Sequence, residues 1–279
     1  MITPQSLTEQ LLFTTIRIVA TLADGDTSTG TGFFYNVPHV GGHIRCIVTN
    51  KHVVEDAVAG TLRFHKSRSG PGGKSIPDGI LEKTIPSFQG HWTNHPSDDV
   101  DLCILQLGRI LTPLEQQQIY TVSFLNQQIW DDTKLRETLT SVENVLMVGY
   151  PNGLWDDVHN LPLVRRGITS SHPGIDFQGK SVTVVDMACY PGSSGSPVCI
   201  ADEGSYVNKQ GTIVGGETRI ILLGTLFEGP VFSAEGQVIL KQIPTKKSTI
   251  PTVTPIMMHL GHIVKAKELL AFEKVLSNS

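Results

Sequence analysis

Long hydrophobic runs are missing from this sequence. Nowhere in its 279 residues do about 18 apolar side chains follow one another, so no segment reads as a membrane-spanning helix. The opening stretch MITPQSLTEQLLFTTIRIVATLADGD is broken by Thr14, Thr15 and Arg17 and carries neither a basic leader nor a small-residue cleavage site. That argues against a signal peptide and for a strand with a short lead-in. Basic charge is scarce as well: 22 Lys and Arg stand against 26 Asp and Glu, with a net charge of -4. A nucleic-acid partner would call for a basic excess, so none is expected. The four cysteines, Cys46, Cys103, Cys189 and Cys199, form no CxxC pair, and a structural zinc site is not expected. Cys103 and Cys199 sit in apolar runs (LCIL, PVCI), where a reduced thiol behaves as a small core residue. Four reduced thiols without an export signal fit a cytoplasmic protein.

What is present is a globular composition, 39% hydrophobic and 17% charged. Short β-branched segments alternate with Gly, Pro, Asn and Asp: 15–22, 31–36, 45–50, 61–65, 102–107, 145–150, 181–187, 197–200, 220–225 and 231–232. This spacing points to an all-β barrel or sandwich. Residues 112–139 are polar and Gln-rich, suit a short helix, and fall where a connection between two β-rich halves would sit. Leu260, Ile263, Val264, Leu269, Leu270, Phe272 and Val275 approximate a helical stripe, so residues 259–276 are expected to form a C-terminal helix. Residues 67–79 and 201–219 read as loops or hairpin tips, and 243–254 as a connector.

The chemistry concentrates in three places. Pro191-Gly192-Ser193-Ser194-Gly195-Ser196-Pro197 packs small residues around a serine, as a tight turn presenting a hydroxyl requires. The amides of Gly192 and Ser194 are candidate donors to one developing oxyanion. A serine hydroxyl needs a base, and the base an orienting partner. His52 follows the strand-like Ile47-Val48-Thr49, and Asp101 opens the apolar strand Leu102–Leu107. An aspartate there suits the second nitrogen of a histidine and fixes its tautomer. Asp98 and Asp99 compete for that role, but their polar flanks suit a turn. The other nine histidines read as ordinary surface or core residues; His91 and His95 stand four apart, but Pro96 does not support the helix a metal site would need.

The order His, Asp, Ser along the chain is that of the chymotrypsin-like proteases rather than of α/β-hydrolases or subtilisins. Thr49-Asn50-Lys51-His52-Val53-Val54, Asp101-Leu-Cys-Ile-Leu and Gly192-Ser-Ser-Gly-Ser-Pro each resemble a motif of the trypsin-like (chymotrypsin-fold) serine proteases. Gly30-Thr-Gly-Phe-Phe-Tyr and Gly149-Tyr-Pro-Asn-Gly are similar to segments of the bacterial high-temperature-requirement proteases. The resemblance runs over about residues 12–235 and fits a stand-alone bacterial peptidase domain. It implies an all-β fold of two six-stranded antiparallel barrels: residues 1–115 with His52 and Asp101, a connection at 116–140, residues 141–245 with Ser194, and a connector and helix at 246–279. It implies a serine endopeptidase acting on protein or peptide substrates, without cofactor or metal, in which Ser194 attacks, His52 moves the proton and Asp101 orients it. It places Ala188 at the floor of the specificity pocket and Leu226, Phe227, Glu228 and Gly229 on its wall. An uncharged floor argues for a small or medium apolar residue before the cut, although Glu228 could reach a basic group. Ser193 stands where digestive relatives carry an aspartate that pairs with a new N-terminus, so zymogen cleavage of that kind is not expected. Ile213-Val-Gly-Gly only mimics such an N-terminus. Restraint would fall to a loop such as 67–79 or to a regulatory partner. A barrel that only binds, or an esterase using the same triad, remain the alternatives.

Overall fold

The computed structural model describes residues 1–229, 231–241 and 247–277, with the backbone alone described over 231–241 and 247–257. The fold is built mainly of antiparallel β-strands in two halves. The first comprises β1 (Thr15–Leu22), β2 (Thr27–His39), β3 (Gly42–Thr49), β4 (Ala57–Ser69), β5 (Ser75–Pro86), β6 (Thr93–Asn94), β7 (Cys103–Gln106), β8 (Ile119–Tyr120) and β9 (Phe124–Leu125). Its path runs β5-β4-β1-β2-β3-β7-β6, with β8 beside β4 and β9 parallel to β2. The closed six-stranded barrel expected here is therefore an open nine-stranded sheet. β6 is only two residues long and offers too few backbone groups to join the far edge.

The second half holds β10 (Asn144–Gly149), β11 (Leu163–Thr169), β12 (Val182–Asp186), β13 (Pro197–Asp202), the small hairpin β14 (Ser205–Val207) and β15 (Ile213–Gly215), and β16 (Arg219–Glu228). A long hairpin of β17 (Val231–Lys241) and β18 (Lys247–Met257) follows, then β19 (Leu260–Lys265). This half closes as a six-stranded barrel in the order β10-β11-β12-β19-β16-β13.

Three expectations are corrected here. The stripe at 259–276 begins as β19, and helix covers only Ala271–Ser277 after a 3-10 turn at Ala266–Leu270. A short run such as Leu260–Lys265 satisfies either period, and pairing with β12 and β16 decides it. The second barrel consequently extends past residue 245. The connector expected at 243–254 is strand from Lys247 onward, while residues 243–246 lie outside the described residues.

The facing strands are buried on both sides, which explains their unbroken apolar runs. In β2, Phe34 points into the core of the first half, with Ile47, Leu62, Phe64 and Leu105, whereas Phe33 and Tyr35 point the other way. There they meet Val48, Ile104, Val148, Cys199, Leu222 and Val264 in a cluster contributed by both halves. Phe272 and Leu276 of the C-terminal helix pack on the same cluster. Burial of a side chain of this size contributes about 1.5–3 kcal/mol, so the cluster fastens one half to the other. The third core, with Val145, Met147, Val185, Val198, Ile221 and Ile263, fills the closed barrel. All four cysteines are buried and unpaired. Among the described residues, no helix is long and apolar enough to cross a membrane.

Candidate active site

His52 rides on a single helical turn, Lys51–Val54, that follows β3. Val53 and Val54 bury into the first core and seat the turn, leaving the imidazole exposed. Asn50, fully buried, donates from Nδ2 to the backbone oxygen of Asp101 at 2.7 Å and so joins the two segments. Asp101 then meets His52 twice: its Oδ2 lies 2.6 Å from His52 Nδ1, and its Oδ1 accepts the His52 amide at 3.3 Å. Burial alone would raise the Asp101 carboxyl. The hydrogen bond and charge of His52, with the amides of His52 and Lys51, outweigh it and hold the carboxyl below its ordinary value. With Nδ1 committed to a carboxylate, Nε2 is the nitrogen left to exchange a proton. Asp98 and Asp99 fall in a turn, and neither bonds to His52.

The serine turn arrives from the second half and docks on the first. The Thr31 amide in β2 donates to Ser194 O at 2.9 Å, and the Thr31 hydroxyl donates to Gly192 O at 3.0 Å. That hydroxyl also accepts the Tyr150 amide at 3.1 Å, and Thr49 Oγ1 donates to Thr31 O at 2.7 Å. Thr49 lies three residues before His52, so one short hydrogen-bonded chain links the serine turn to the histidine turn. Close approach needs glycine at two places. A Cβ on Gly195 would stand 1.9 Å from Thr31 O, and one on Gly192 would stand 2.7 Å from Tyr150 O, both at positive φ.

Two further hydrogen bonds aim the amides of the turn. Pro191 O accepts from the Asn152 amide at 2.5 Å, and Ser193 O accepts from the Ser196 amide at 3.0 Å. In a trans peptide the N–H points opposite to the C=O, so the amides of Gly192 and Ser194 face away from those partners. The amides of Ser193, Gly195 and Ser196 all donate within the protein, to Tyr190 O, Leu226 O and Ser193 O. Those of Gly192 and Ser194 have no acceptor among the described residues. Ser194 Oγ makes no hydrogen bond with His52 among them either, a contact that commonly tightens only with substrate bound.

A pocket of about 120 Å³ opens beside Ser194, lined by Cys189, Tyr190, Pro191, Leu226, Glu228 and Gly229. Of the expected pocket residues it takes Leu226, Glu228 and Gly229 but not Ala188. Ala188 turns its carbonyl to Arg165 Nη1 at 2.8 Å, and Cys189 lines the pocket in its place. Burial pushes the Cys189 thiol up to about 11, against a smaller opposing pull from Arg165, so it stays protonated at neutral pH. Phe227 lines a neighbouring pocket of about 560 Å³ that runs from Asp99 and Asp101 past residues 177–182 to Glu228 and His262. There His262 Nδ1 lies 2.8 Å from Glu228 Oε1. The sequence reading missed Phe177 and His262 altogether, and it placed Thr31 and Asn50 within motifs without reading their roles as anchors. Their partners in space lie far away along the chain.

Among the described residues, no three His, Cys, Asp or Glu side chains are grouped to hold a metal ion. His91 Nε2 lies 3.2 Å from Pro86 O, and His95 is buried against Phe272 with its Nδ1 accepting the Ser97 amide. Ile213–Gly215 sits in the exposed β14–β15 hairpin.

Two antiparallel β-halves, one carrying a carboxylate-bound histidine and the other a glycine-framed serine docked on it, define the chymotrypsin-like class of fold. The family described as trypsin-like peptidase domain matches residues 30–207, and the chain belongs to that family. No curated protein sequence matches the chain. Among solved structures, it is similar to the active form of the Rv3671c protease from M. tuberculosis at 14% identity, covering 96% of this chain and 84% of that one, with a TM-score of 0.44. It is also similar to the thermostable serine protease AL20 from an extremophilic microorganism (13% identity, 96% and 99% covered, TM-score 0.47). The scabies mite inactivated protease paralogue S-I1 is similar too (13% identity, 97% of each covered, TM-score 0.48). Likeness at this level says nothing of chemistry.

Proposed function

We propose that the protein is a serine endopeptidase working through an acyl-enzyme, with Ser194 as nucleophile, His52 as general base and acid, and Asp101 as the orienting carboxylate. The 2.6 Å contact between His52 Nδ1 and Asp101 Oδ2 carries this reading, because it leaves Nε2 basic and held in place. In the first step Ser194 Oγ bonds to the carbonyl carbon of the scissile peptide as its proton passes to His52 Nε2. The carbonyl oxygen, now negative, turns toward the amides of Gly192 and Ser194. Each such donor typically contributes about two to three powers of ten in rate. Collapse of the tetrahedral species breaks the C–N bond, and the imidazolium gives its proton to the departing amine. Water, deprotonated by His52, then attacks the acyl-enzyme; collapse releases the carboxylic acid and returns the proton to Ser194 Oγ. No redox or metal-assisted step is required for this balance.

The small pocket suits an uncharged side chain before the cut, since Leu226, Pro191 and protonated Cys189 offer a cation no counter-charge and the carboxylate of Glu228 is already bonded to His262. Four buried, unpaired thiols support a reducing, cytoplasmic setting. The test is labelling by a fluorophosphonate probe together with hydrolysis of a casein and of a simple ester, in wild type and Ser194→Ala. We expect probe labelling at Ser194, peptide hydrolysis in the wild type, and a loss of roughly several powers of ten in the variant. Ester turnover without proteolysis would favour an esterase. Equal rates in both proteins would remove Ser194 from the chemistry.

A further inference from the structure

The serine turn has two flanks. On one, the Gly195 amide bonds Leu226 O beside the small pocket. On the other lie Thr31, Tyr150, Asn152 and Gly153, and this flank carries a pair of arginines that the proposed chemistry leaves unused. Arg17 of β1 stands directly across from Thr31 of β2, and side chains opposite one another share a face of the sheet. Arg17 therefore projects on the side where Thr31 grips Gly192. A Cβ on Gly192 would lie 3.3 Å from Gly153 N, and one on Gly153 would lie 3.4 Å from Arg17 Nη2. The guanidinium is thus two contacts from the amide of Gly192, on the order of 10 Å, which two or three extended residues span.

Trp155 gathers the pair. The Arg17 Cζ lies 5.4 Å and the Arg63 Cζ 4.7 Å from the centre of its indole, which itself meets Tyr150 edge-on. Two cations on one aromatic ring repel each other, and a shared anion would relieve that repulsion. Arg63 has a weak one: its Nε lies 3.4 Å from Glu82 Oε2, and Glu82 is exposed. Asp156, next in sequence to Trp155, is taken by the ring and amide of His159 and the amide of Val158. Arg17 has neither an ion pair nor a hydrogen bond among the described residues, and its Nε is buried without an acceptor. Burial holds its acidity above that of a free guanidinium, with Tyr150 opposing the shift and Arg63 adding to it to a smaller degree. The residue as a whole is only partly buried, so the outer nitrogens of its guanidinium are open to a ligand, and a planar guanidinium fits a carboxylate best.

We propose that Arg17 and Arg63, arrayed on Trp155, form a carboxylate subsite on the leaving-group side of the cleft, which selects substrates with an acidic group within the first few residues after the cut. This rests on the peptidase reading above. The carboxylate can come from an Asp or Glu side chain or from the end of a short substrate chain; the subsite reads the same group in both.

The experiment has two parts. Binding is measured by calorimetry on Ser194→Ala, which needs no turnover. The ligands are tetrapeptides with the leaving-group-side free amine, bearing Glu or Gln at the second or third position, each amidated or with a free C-terminus. Turnover of internally quenched peptides with the same variations is measured on wild type, Arg17→Gln, Arg17→Lys and Arg63→Gln. We expect a Glu-over-Gln ratio on the order of tenfold in wild type, near one in Arg17→Gln and partly restored in Arg17→Lys. A ratio within each protein cancels any general loss of folding. A preference for amidated Glu peptides identifies a side-chain carboxylate, and a preference for free-acid Gln peptides identifies a chain end; each supports the subsite. Neutral peptides cut as well as acidic ones, with equal binding, would overturn the subsite and leave the peptidase standing. Acidic preference in binding with no peptide hydrolysed would overturn the peptidase reading instead.

Discussion

Replacing Thr31 by valine removes one hydroxyl and keeps the side-chain volume nearly unchanged. That hydroxyl donates to Gly192 O at 3.0 Å and accepts the Tyr150 amide at 3.1 Å, and Thr31 itself is fully buried. The variant therefore strands one carbonyl and one amide away from water. Each orphaned group costs about 1–3 kcal/mol, and partial relaxation of the turn makes roughly 3 kcal/mol the expected total. Guanidinium denaturation of wild type, Thr31→Val and Thr31→Ser would read it, the serine keeping the hydroxyl while losing the methyl. The midpoint should fall in Thr31→Val and stay close to wild type in Thr31→Ser. Peptide hydrolysis should follow the same order, with kcat falling more than KM rises, because loss of the anchor lets the Gly192 and Ser194 amides lose their aim. An unchanged midpoint in the valine variant, or a serine variant as damaged as the valine one, would refute the reasoning.

His65 gives a pH prediction. It is buried against Phe13, and burial drives its pKa down to about 4, opposed by a weaker hydrogen-bond effect from Asn160. The unfolded chain binds the proton near pH 6.5, so stability present above that value is lost as pH falls toward 4, about 2 kcal/mol by pH 5. Denaturation of wild type and His65→Phe at pH 7 and 5 should show a smaller acid loss in the variant; equal losses would remove His65 as the cause. Lys265, buried between Asp132 at 3.0 Å and Asp176 at 2.7 Å, ties the barrel to the loop beside Phe177. Lys265→Met should cost about 3 kcal/mol, because Lys267 still faces both carboxylates. Thermal melting checks it, and a stabilised variant would contradict it.

The local parts of this molecule were legible in its sequence. A strand ending in Thr49-Asn50-Lys51-His52, a carboxylate opening an apolar run and a serine among glycines each carry their meaning within about seven residues. β5 was hidden by Pro77, Asp78 and Gly79, which punctuate a strand that pairs all along β4. β11 was hidden by Arg165 and Arg166 on a largely exposed strand, without the apolar alternation that betrays a buried face. β19 mimicked a helix because its apolar residues fit both periods. The walls of the large pocket and the Thr31 anchor come from segments distant along the chain, 161 residues apart for Thr31 and Gly192, and only folding brings them together. Cys189 rather than its neighbour Ala188 lines the small pocket, a one-residue difference that no local pattern signals.

The anchor of the serine turn also decides how this cleft can move. Ser194 belongs to the second half by sequence, yet its carbonyl and that of Gly192 hang on Thr31 of the first, whose own carbonyl Thr49 holds. A hinge rotation of one half against the other would break these bonds before it parted Ser194 from His52. The floor between the two turns is thus tied across the halves, and widening the cleft without breaking these bonds would leave only its rim free to give way.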